Sequence, residues 1–159
     1  MEKYNINMLP QDLTGWMQQR FLQPIVNIEG GWEYWFQIDF PAWLDFYYKR
    51  QFDFRREVIG ILPNGGRLDW LVNSQGSDRI LSAFELKAQT HKYQNDKFVD
   101  DVLSDVAKLN KLDQTYLKVT LAAVIDDNSE NALIQKNFAI IAKYPHENPL
   151  VKILFFSSL

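Results

Sequence analysis

Three ionisable side chains stand in two short apolar segments that otherwise have the composition of buried strands. Asp69 lies within residues 67–72, and Glu85 and Lys87 lie within residues 83–87. Side chains two residues apart on a strand point to the same face, so Glu85 and Lys87 would share a face. Two carboxylates beside an ammonium group could hold a divalent cation and a reactive water.

The spacing of these three residues occurs by chance in many proteins, and its weight comes from the apolar surroundings. Burying an unpaired carboxylate costs several kcal/mol, so buried charges here would require compensation. The alternative interpretation places Glu85 and Lys87 on an exposed strand face, where they would form a surface ion pair worth about 0–1 kcal/mol.

The composition excludes several other kinds of site. The chain has 159 residues, no cysteine and two histidines, which excludes disulfides, thiolate zinc sites and cysteine nucleophiles. The net charge of −3 argues against strong non-specific DNA binding but is compatible with a carboxylate-rich metal site. The sequence shows neither a secretory leader nor an apolar run of about 18 residues. We therefore expect a cytoplasmic protein without a membrane partner.

The elements around these residues can be predicted from hydrophobic patterns and turn signals. Turns of only a few residues separate three predicted strands, which indicates an antiparallel meander. An amphipathic helix follows, with Asn95 or Asp96 as its cap, and continues to about residue 112. The predicted strands of this core are 57–62, 68–72, 80–88 and a buried strand at 117–125.

The segments before the meander are predicted to be helical. Residues 1–10 have no clear pattern and are expected to be loosely ordered, and residues 11–22 have helical spacing. Residues 32–48 fit both a helical stripe and strand alternation; we favour a helix kinked at Pro41.

The C-terminal part completes an α/β architecture. Residues 130–144 fit one helix, although 138–142 alone fit a strand, and 150–156 are predicted to form a final strand. The simplest packing is a single domain over 1–159, with a mixed β-sheet and helices on both of its faces.

The key residues resemble the signature of a known superfamily. Asp69 is followed, after fifteen intervening residues, by the segment Glu85-Leu86-Lys87, which resembles the D…ExK motif of the PD-(D/E)XK nucleases. The resemblance covers about 32–125. It implies a restriction-endonuclease-like core of order α-β-β-β-α-β, here with an extra C-terminal helix and strand.

Local sequence around the motif supports the resemblance. Residues 55–58 and 66–69 are similar to small bacterial members, as are Asp105 and Lys108 in the second predicted helix. Leu68 stands where such nucleases commonly have a proline before the first acid.

The resemblance implies a metal-dependent nuclease that hydrolyses phosphodiester bonds, with DNA favoured over RNA. Asp69, Glu85 and the Leu86 carbonyl would bind Mg²⁺ or Mn²⁺. Lys87 would hold or activate the attacking water and steady the charge on the scissile phosphate. Two further carboxylates are candidates for an outer catalytic position, Glu33 and Glu57.

Four basic residues before the first predicted strand are candidates for nucleic-acid contacts. The alternative is a solvated face, which is what such a run more often forms. Cutting both strands of a duplex would require a homodimer, since one chain offers one site. The four residues are Lys49, Arg50, Arg55 and Arg56.

A second function class remains open at this point. The fold could serve as a catalytically silent nuclease-like binding module, such as an immunity or inhibitor protein or an assembly subunit. The small size and the acidic charge favour that alternative, and its partner would be a protein. Divalent-cation binding would separate the two classes.

Overall fold

The computed structural model describes residues 1–20, 31–74, 81–147 and 149–158. Within these residues a six-stranded mixed β-sheet is flanked by four α-helices. The helices are α1 (Leu9–Arg20), α2 (Gly31–Tyr48), α3 (Asn95–Leu109) and α4 (Asp127–Ile134). The strands are β1 (Phe54–Ile59), β2 (Arg67–Val72), β3 (Leu81–Ala88), β4 (Tyr116–Val124), β5 (Ala139–Tyr144) and β6 (Val151–Ser158). None of the helices so described is both long and apolar enough to cross a membrane.

The sheet has the strand order β1-β2-β3-β4-β6-β5. The first three strands pair antiparallel, which confirms the predicted meander. Helix α3 then connects β3 to β4, which lie parallel, and β6 pairs antiparallel with both β4 and β5. A parallel pair requires a crossover of this length, so α3 must pack back onto the sheet beside β3.

Hydrophobic clusters cover both faces of the sheet, as the α/β prediction requires. Adjacent residues of β4 show this directly, because Ala123 belongs to the cluster under α1 and α2 whereas Ala122 belongs to the cluster under α3 and α4. On β3, Phe84 lies in the first of these clusters, while Ala83 packs with Leu109 of α3. Alternation along the strand therefore directs Glu85 and Lys87 toward α3.

Several element boundaries differ from the predictions. The strand predicted at 57–62 lies at Phe54–Ile59, and α3 ends at Leu109 rather than at residue 112. Neither Asn95 nor Asp96 caps α3; the cap position is Gln94, without a side-chain hydrogen bond. The Asn95 amide instead donates to Asp126, which itself caps α4.

The two ambiguous segments are resolved by packing. Residues 32–48 belong to the single helix α2, with Pro41 inside it. A helix over 130–144 is wrong: α4 ends at Ile134, Asn137 has a left-handed φ of 68°, and a strand follows. The extra C-terminal part is thus one helix and two strands, because the edge of β6 is available for pairing with β5.

The N-terminal segment is better ordered than predicted. Tyr4 is 2% exposed, its N–H donates to Asn73 Oδ1 at 2.7 Å, and its carbonyl accepts from Asn73 Nδ2 at 2.9 Å. This contact spans the chain and no local pattern encodes it. Residues 21–22 of the predicted first helix and residue 80 of the predicted third strand lie outside the described residues.

Candidate active site

The site begins where β2 and β3 stop pairing through their backbones. Trp70↔Phe84 is the last backbone pair between β2 and β3 on the side toward Asp69. Beyond it the Asp69 carboxylate replaces the backbone: Oδ2 accepts from the Leu86 N–H at 2.7 Å, and Oδ1 accepts from Gln37 Nε2 at 2.9 Å. Asp69 is thereby fixed beside β3, next to the position predicted for a metal.

Glu85 occupies the position opposite Asp69 and is 2% exposed. Its Oε1 lies 2.6 Å from Lys108 Nζ. The two groups form an ion pair at hydrogen-bond distance. Burial, followed by the charge of Asp69, raises the pKa of Glu85 to about 8. The two predicted carboxylates are therefore close enough to repel each other.

Lys87 lies between two carboxylates from different helices. Its Nζ is 3.8 Å from Glu33 Oε1 and 3.4 Å from Asp105 Oδ2. Burial alone would lower the pKa of Lys87, but the charges of Glu33, Asp105 and Asp69 outweigh it and raise that pKa above its ordinary value. Lys87 therefore stays protonated at neutral pH, which favours the steadying of negative charge over proton abstraction from a water.

The two outer candidates lie in different surroundings. Glu33, in the first turn of α2, accepts a hydrogen bond from the Ala88 N–H at 3.0 Å and joins the Lys87 cluster as predicted. Burial raises its pKa, against the charge of Lys87. Glu57 on β1 instead pairs with Arg67 at 3.5 Å. Its backbone has a φ of 51°, a left-handed conformation that is strained for a residue with a side chain.

Asp105 and Lys108 complete the cluster from α3. They are three residues apart, so both project from one side of the helix, opposite Glu85 and Lys87 on β3. The ion pairs cross: Lys108 contacts Glu85, and Asp105 contacts Lys87. The sequence indicated an amphipathic helix here but no role for these two residues. The available signal in the sequence was an acid and a lysine three residues apart, on the predicted helix that follows the strand with the motif.

The charges of the cluster do not balance. Four carboxylates and two ammonium groups leave a formal charge of −2 when all are ionised. Burial is the largest cause that raises the pKa of every one of the carboxylates. A bound divalent cation would neutralise this surplus. The carboxylates are Glu33, Asp69, Glu85 and Asp105.

The donor set fits a cation that needs few protein ligands. Glu85 Oε1 and Asp105 Oδ2 are buried oxygens, and their ion-pair partners are the ammonium groups of Lys108 and Lys87. Across the described residues, no three His, Cys, Asp or Glu side chains are arranged as a ready metal cage. Mg²⁺ commonly takes only one or two carboxylates and keeps several waters, so Asp69 and Glu85 suffice as protein ligands.

A pocket of about 850 Å³ lies over the cluster. Its acidic wall includes Glu33, Glu57 and Asp69, with Lys87 beside them. Glu85 does not line the pocket, whereas Asp69 does. Further basic residues on the pocket wall, outside the predicted patch, are Arg67, Lys92 and Lys97.

The predicted basic patch does not form one surface. Arg50 pairs with Glu2 at 3.2 Å, and Arg55 pairs with Asp53 at 3.7 Å. Lys49 is exposed just after the end of α2. The first pair joins the N-terminal segment to the loop after α2, the second joins Asp53 to the start of β1, and neither arginine lines the pocket.

Arg56 is the member of the patch that approaches the pocket. Its guanidinium lies 4.5 Å from the centre of the Tyr34 ring and donates to the Tyr34 hydroxyl at 3.1 Å. Tyr34 lines the pocket wall and is 51% exposed. Arg56 therefore flanks the rim through an aromatic side chain.

Comparison with known proteins adds no relative. No family model matches the chain, and neither a curated protein nor a solved structure gives a significant match. The function must therefore be argued from the residues and their geometry.

Proposed function

We propose that this protein is a metal-dependent nuclease of the PD-(D/E)XK type that hydrolyses phosphodiester bonds, with DNA as the favoured substrate. The observation that carries the proposal is the convergence of Asp69, Glu85 and Lys87 where β2 and β3 separate. The order α2-β1-β2-β3-α3-β4 supports the restriction-endonuclease-like core that the resemblance implies.

Asp69 and Glu85 would hold Mg²⁺ or Mn²⁺, with the Leu86 carbonyl as the third predicted ligand. When bound, the cation would supply charge to a phosphoryl oxygen and lower the pKa of a bound water. The chain contributes two carboxylates fixed on adjacent strands. Hydrogen bonds from the Leu86 N–H and the Gln37 amide, one to each oxygen, hold the first of them in place, and each oxygen keeps a further lone pair for a cation.

Lys87 would act as a fixed cation toward the scissile phosphate. Its raised pKa keeps it charged, and a preorganised ammonium stabilises negative charge that develops on phosphate oxygens. Glu33 and Asp105 position it from two helices. Because both partners are fixed by elements that pack on the sheet, the ammonium needs little reorganisation when a substrate arrives.

The substrate's backbone would cross the pocket rather than the patch around residue 50. Cations on the pocket wall attract phosphates, whereas carboxylates at the centre repel them unless a metal is bound. DNA binding should therefore depend on divalent cations. A duplex cut would still need a second copy, as one chain provides one site. The phosphate contacts proposed here are Arg67, Lys92 and Lys97, flanked by Arg56; Arg67 would exchange its ion pair with Glu57, and Lys97 its ion pair with Asp101, for phosphate oxygens.

Two observations favour the alternative of a catalytically silent module. Glu85 is engaged by Lys108 and almost fully buried. The described residues also contain no ready cage of three metal-ligating side chains. In that case the charge cluster would be structural and the fold would bind a protein partner.

Nicking of supercoiled plasmid in Mg²⁺, in Mn²⁺ and in EDTA tests the proposal. We expect nicking with either cation, none in EDTA, and a rate about 100-fold lower for Lys87→Ala. Lys111→Ala is the matched control, because Lys111 is an exposed lysine just past α3.

Thermal denaturation with and without Mn²⁺ separates the two functions. A nuclease should gain thermal stability from Mn²⁺ by mass action, and Asp69→Asn should abolish the gain. Nicking that survives in Lys87→Ala would refute the assigned site. Absence of both nicking and Mn²⁺ stabilisation would support the silent module.

A further inference from the structure

Lys108 makes the closest contact with Glu85 that the cluster contains. Its Nζ lies 2.6 Å from Glu85 Oε1, and the Glu85 side chain is 3% exposed against 27% for Lys108. The neighbouring Lys87 is committed to Glu33 and Asp105. Glu85 thus receives its nearby positive charge from the last turn of α3, while Asp69 and Asp105 act against its ionisation.

The position of the Lys108 ammonium conflicts with that of a cation. A Mg²⁺ ligand oxygen lies about 2.1 Å from the metal, so a metal on Glu85 Oε1 and an ammonium at hydrogen-bond distance from the same atom would be close neighbours. Two cations at such a separation repel each other strongly in a partly buried site. One of them must therefore leave.

The lysine is the partner that can move. Its backbone is fixed, since Leu109 and Val102 of α3 are buried against the sheet, but its side chain is flexible and partly exposed. The Lys108 side chain passes the turn between β1 and β2. A Cβ atom added at Gly66 would lie 3.8 Å from Lys108 Cε. The Lys108 side chain is 27% exposed, so its ammonium group can move outward into solvent without displacing the helix.

We propose that Lys108 is an internal counter-ion that competes with the divalent cation for Glu85. In the metal-free protein its ammonium group pairs with the Glu85 carboxyl group, and it withdraws when a metal is bound. The inference deepens the proposed function, on which it rests: Lys108 sets the cation concentration at which the nuclease becomes loaded.

Lysine labelling of the unmodified protein tests this directly. Limited acetylation, quantified by peptide mass spectrometry, is compared in EDTA and at Mn²⁺ concentrations that saturate binding measured by calorimetry. We expect the labelling rate of Lys108 to rise at least about threefold with Mn²⁺ as the ion pair opens. Lys111 should not change. An unchanged or lower rate at Lys108 under saturation would overturn the proposal.

Calorimetric titration of variants with Mn²⁺ gives a second test. Lys108→Met should tighten the apparent Kd about tenfold by removing the competitor, whereas Lys108→Arg should bind as the unmodified protein does. Lys111→Met controls for the lost positive charge. Equal or weaker binding by Lys108→Met would also overturn the proposal, and if that variant does not fold, the labelling experiment decides.

The two proposals fail in different ways. If Mn²⁺ binding depends on Asp69 but is indifferent to Lys108, the counter-ion role is wrong and the nuclease proposal stands. If the unmodified protein binds no Mn²⁺ at all, both are wrong.

Discussion

Two buried carboxylates on opposite faces of the sheet, Asp12 and Glu85, are equally inaccessible at 2% exposure. Asp12 accepts hydrogen bonds from the hydroxyls of Tyr4 at 2.7 Å and Tyr48 at 2.5 Å. Glu85 is paired instead with a charged group, the Lys108 ammonium, which lies 2.6 Å from one of its oxygens. Neutral hydroxyl donors satisfy the first acid, whereas the second is paired with the ammonium group of a partly exposed lysine.

The difference indicates what each acid is for. Burial costs are repaid at Asp12 by local hydrogen bonds, which makes it a structural link between the N-terminal segment and α2. Glu85 keeps unsatisfied bonding capacity beside Asp69, a second acid of the same charge. Partly satisfied buried charge is a feature of sites that bind a ligand. The predictions below test this contrast.

Asp69→Asn should give the largest effect. It removes one of two carboxylates available to a cation, so we expect plasmid nicking to fall at least about 100-fold. Asp100→Asn is the matched control, because Asp100 is an exposed acid on α3. Initial nicking rates in Mg²⁺ measure the effect. Similar rates for the two variants would contradict the assigned role.

Paired amide substitutions compare the two buried acids directly. Asp12→Asn should lower the free energy of unfolding by about 1.5–3 kcal/mol, because a charged acceptor of two phenol hydrogen bonds is lost. Glu85→Gln should be close to neutral in EDTA, since it removes repulsion from Asp69 along with the contact to Lys108. Urea denaturation at pH 8 measures both. Equal destabilisation would abolish the distinction between the acids.

The pH dependence of the free energy of unfolding should be set by Glu85 and the carboxylates around it. Folding raises the pKa of Glu85 from 4.5 to about 8, so the folded state binds this proton more tightly than the unfolded state does. The stability that this tighter proton binding gives the folded state is complete below about pH 4.5, declines as the pH rises and is lost above about pH 8. In EDTA we expect the free energy of unfolding to fall by about 1–4 kcal/mol across this window.

Glu85→Gln should flatten this slope, and so should saturating Mn²⁺, because a bound cation offsets the cost of ionisation. The pKa values of Glu33, Asp69 and Asp105 are raised in the same direction, so part of the slope should remain in the variant. Urea denaturation at several pH values measures it. A slope unchanged by Glu85→Gln would show that Glu85 does not titrate as described.

Sequence patterns located the strands that carry the site because local rules determine them. Asp69, Glu85 and Lys87 were visible as charges inside apolar runs, and short turns determined the meander. The separation of β2 from β3 was not visible, because it depends on a side chain replacing a backbone partner at Leu86. Long-range side-chain contacts of this kind leave no periodic signal.

Other misses have the same origin. Asn95 looks like a helix cap by type, but its amide donates to Asp126 across 31 positions of the chain. The strand Ala139–Tyr144 forms because β6 offers an edge, which competes successfully with helical spacing. Lys108 could be predicted on the polar side of an amphipathic helix, but its contact with Glu85 depends on how α3 crosses β3.

Glu33 and Glu57, the two candidates for the outer catalytic carboxylate, can be compared in the same way. Glu33 holds Lys87, so Glu33→Gln should lower the nicking rate about tenfold by loosening the positioned ammonium. Glu57 pairs with Arg67 instead, and Glu57→Gln should cost less than about threefold. Parallel rate measurements decide between them. A larger loss at Glu57 would reverse the assignment of the outer carboxylate.

The smallest effect should come from the backbone at Glu57. Its φ of 51° is unfavourable for any residue with a Cβ atom, so Glu57→Gly should raise the free energy of unfolding by about 0.5–1 kcal/mol. Glu57→Gln keeps the strain and loses the charge, so it should change stability by less than about 0.5 kcal/mol. Destabilisation by Glu57→Gly would mean that the ion pairs of this side chain outweigh the strain. An increase in the free energy of unfolding would show that the Glu57 backbone is strained. Glu57 lies on the pocket wall, and strained backbone conformations cluster at functional sites.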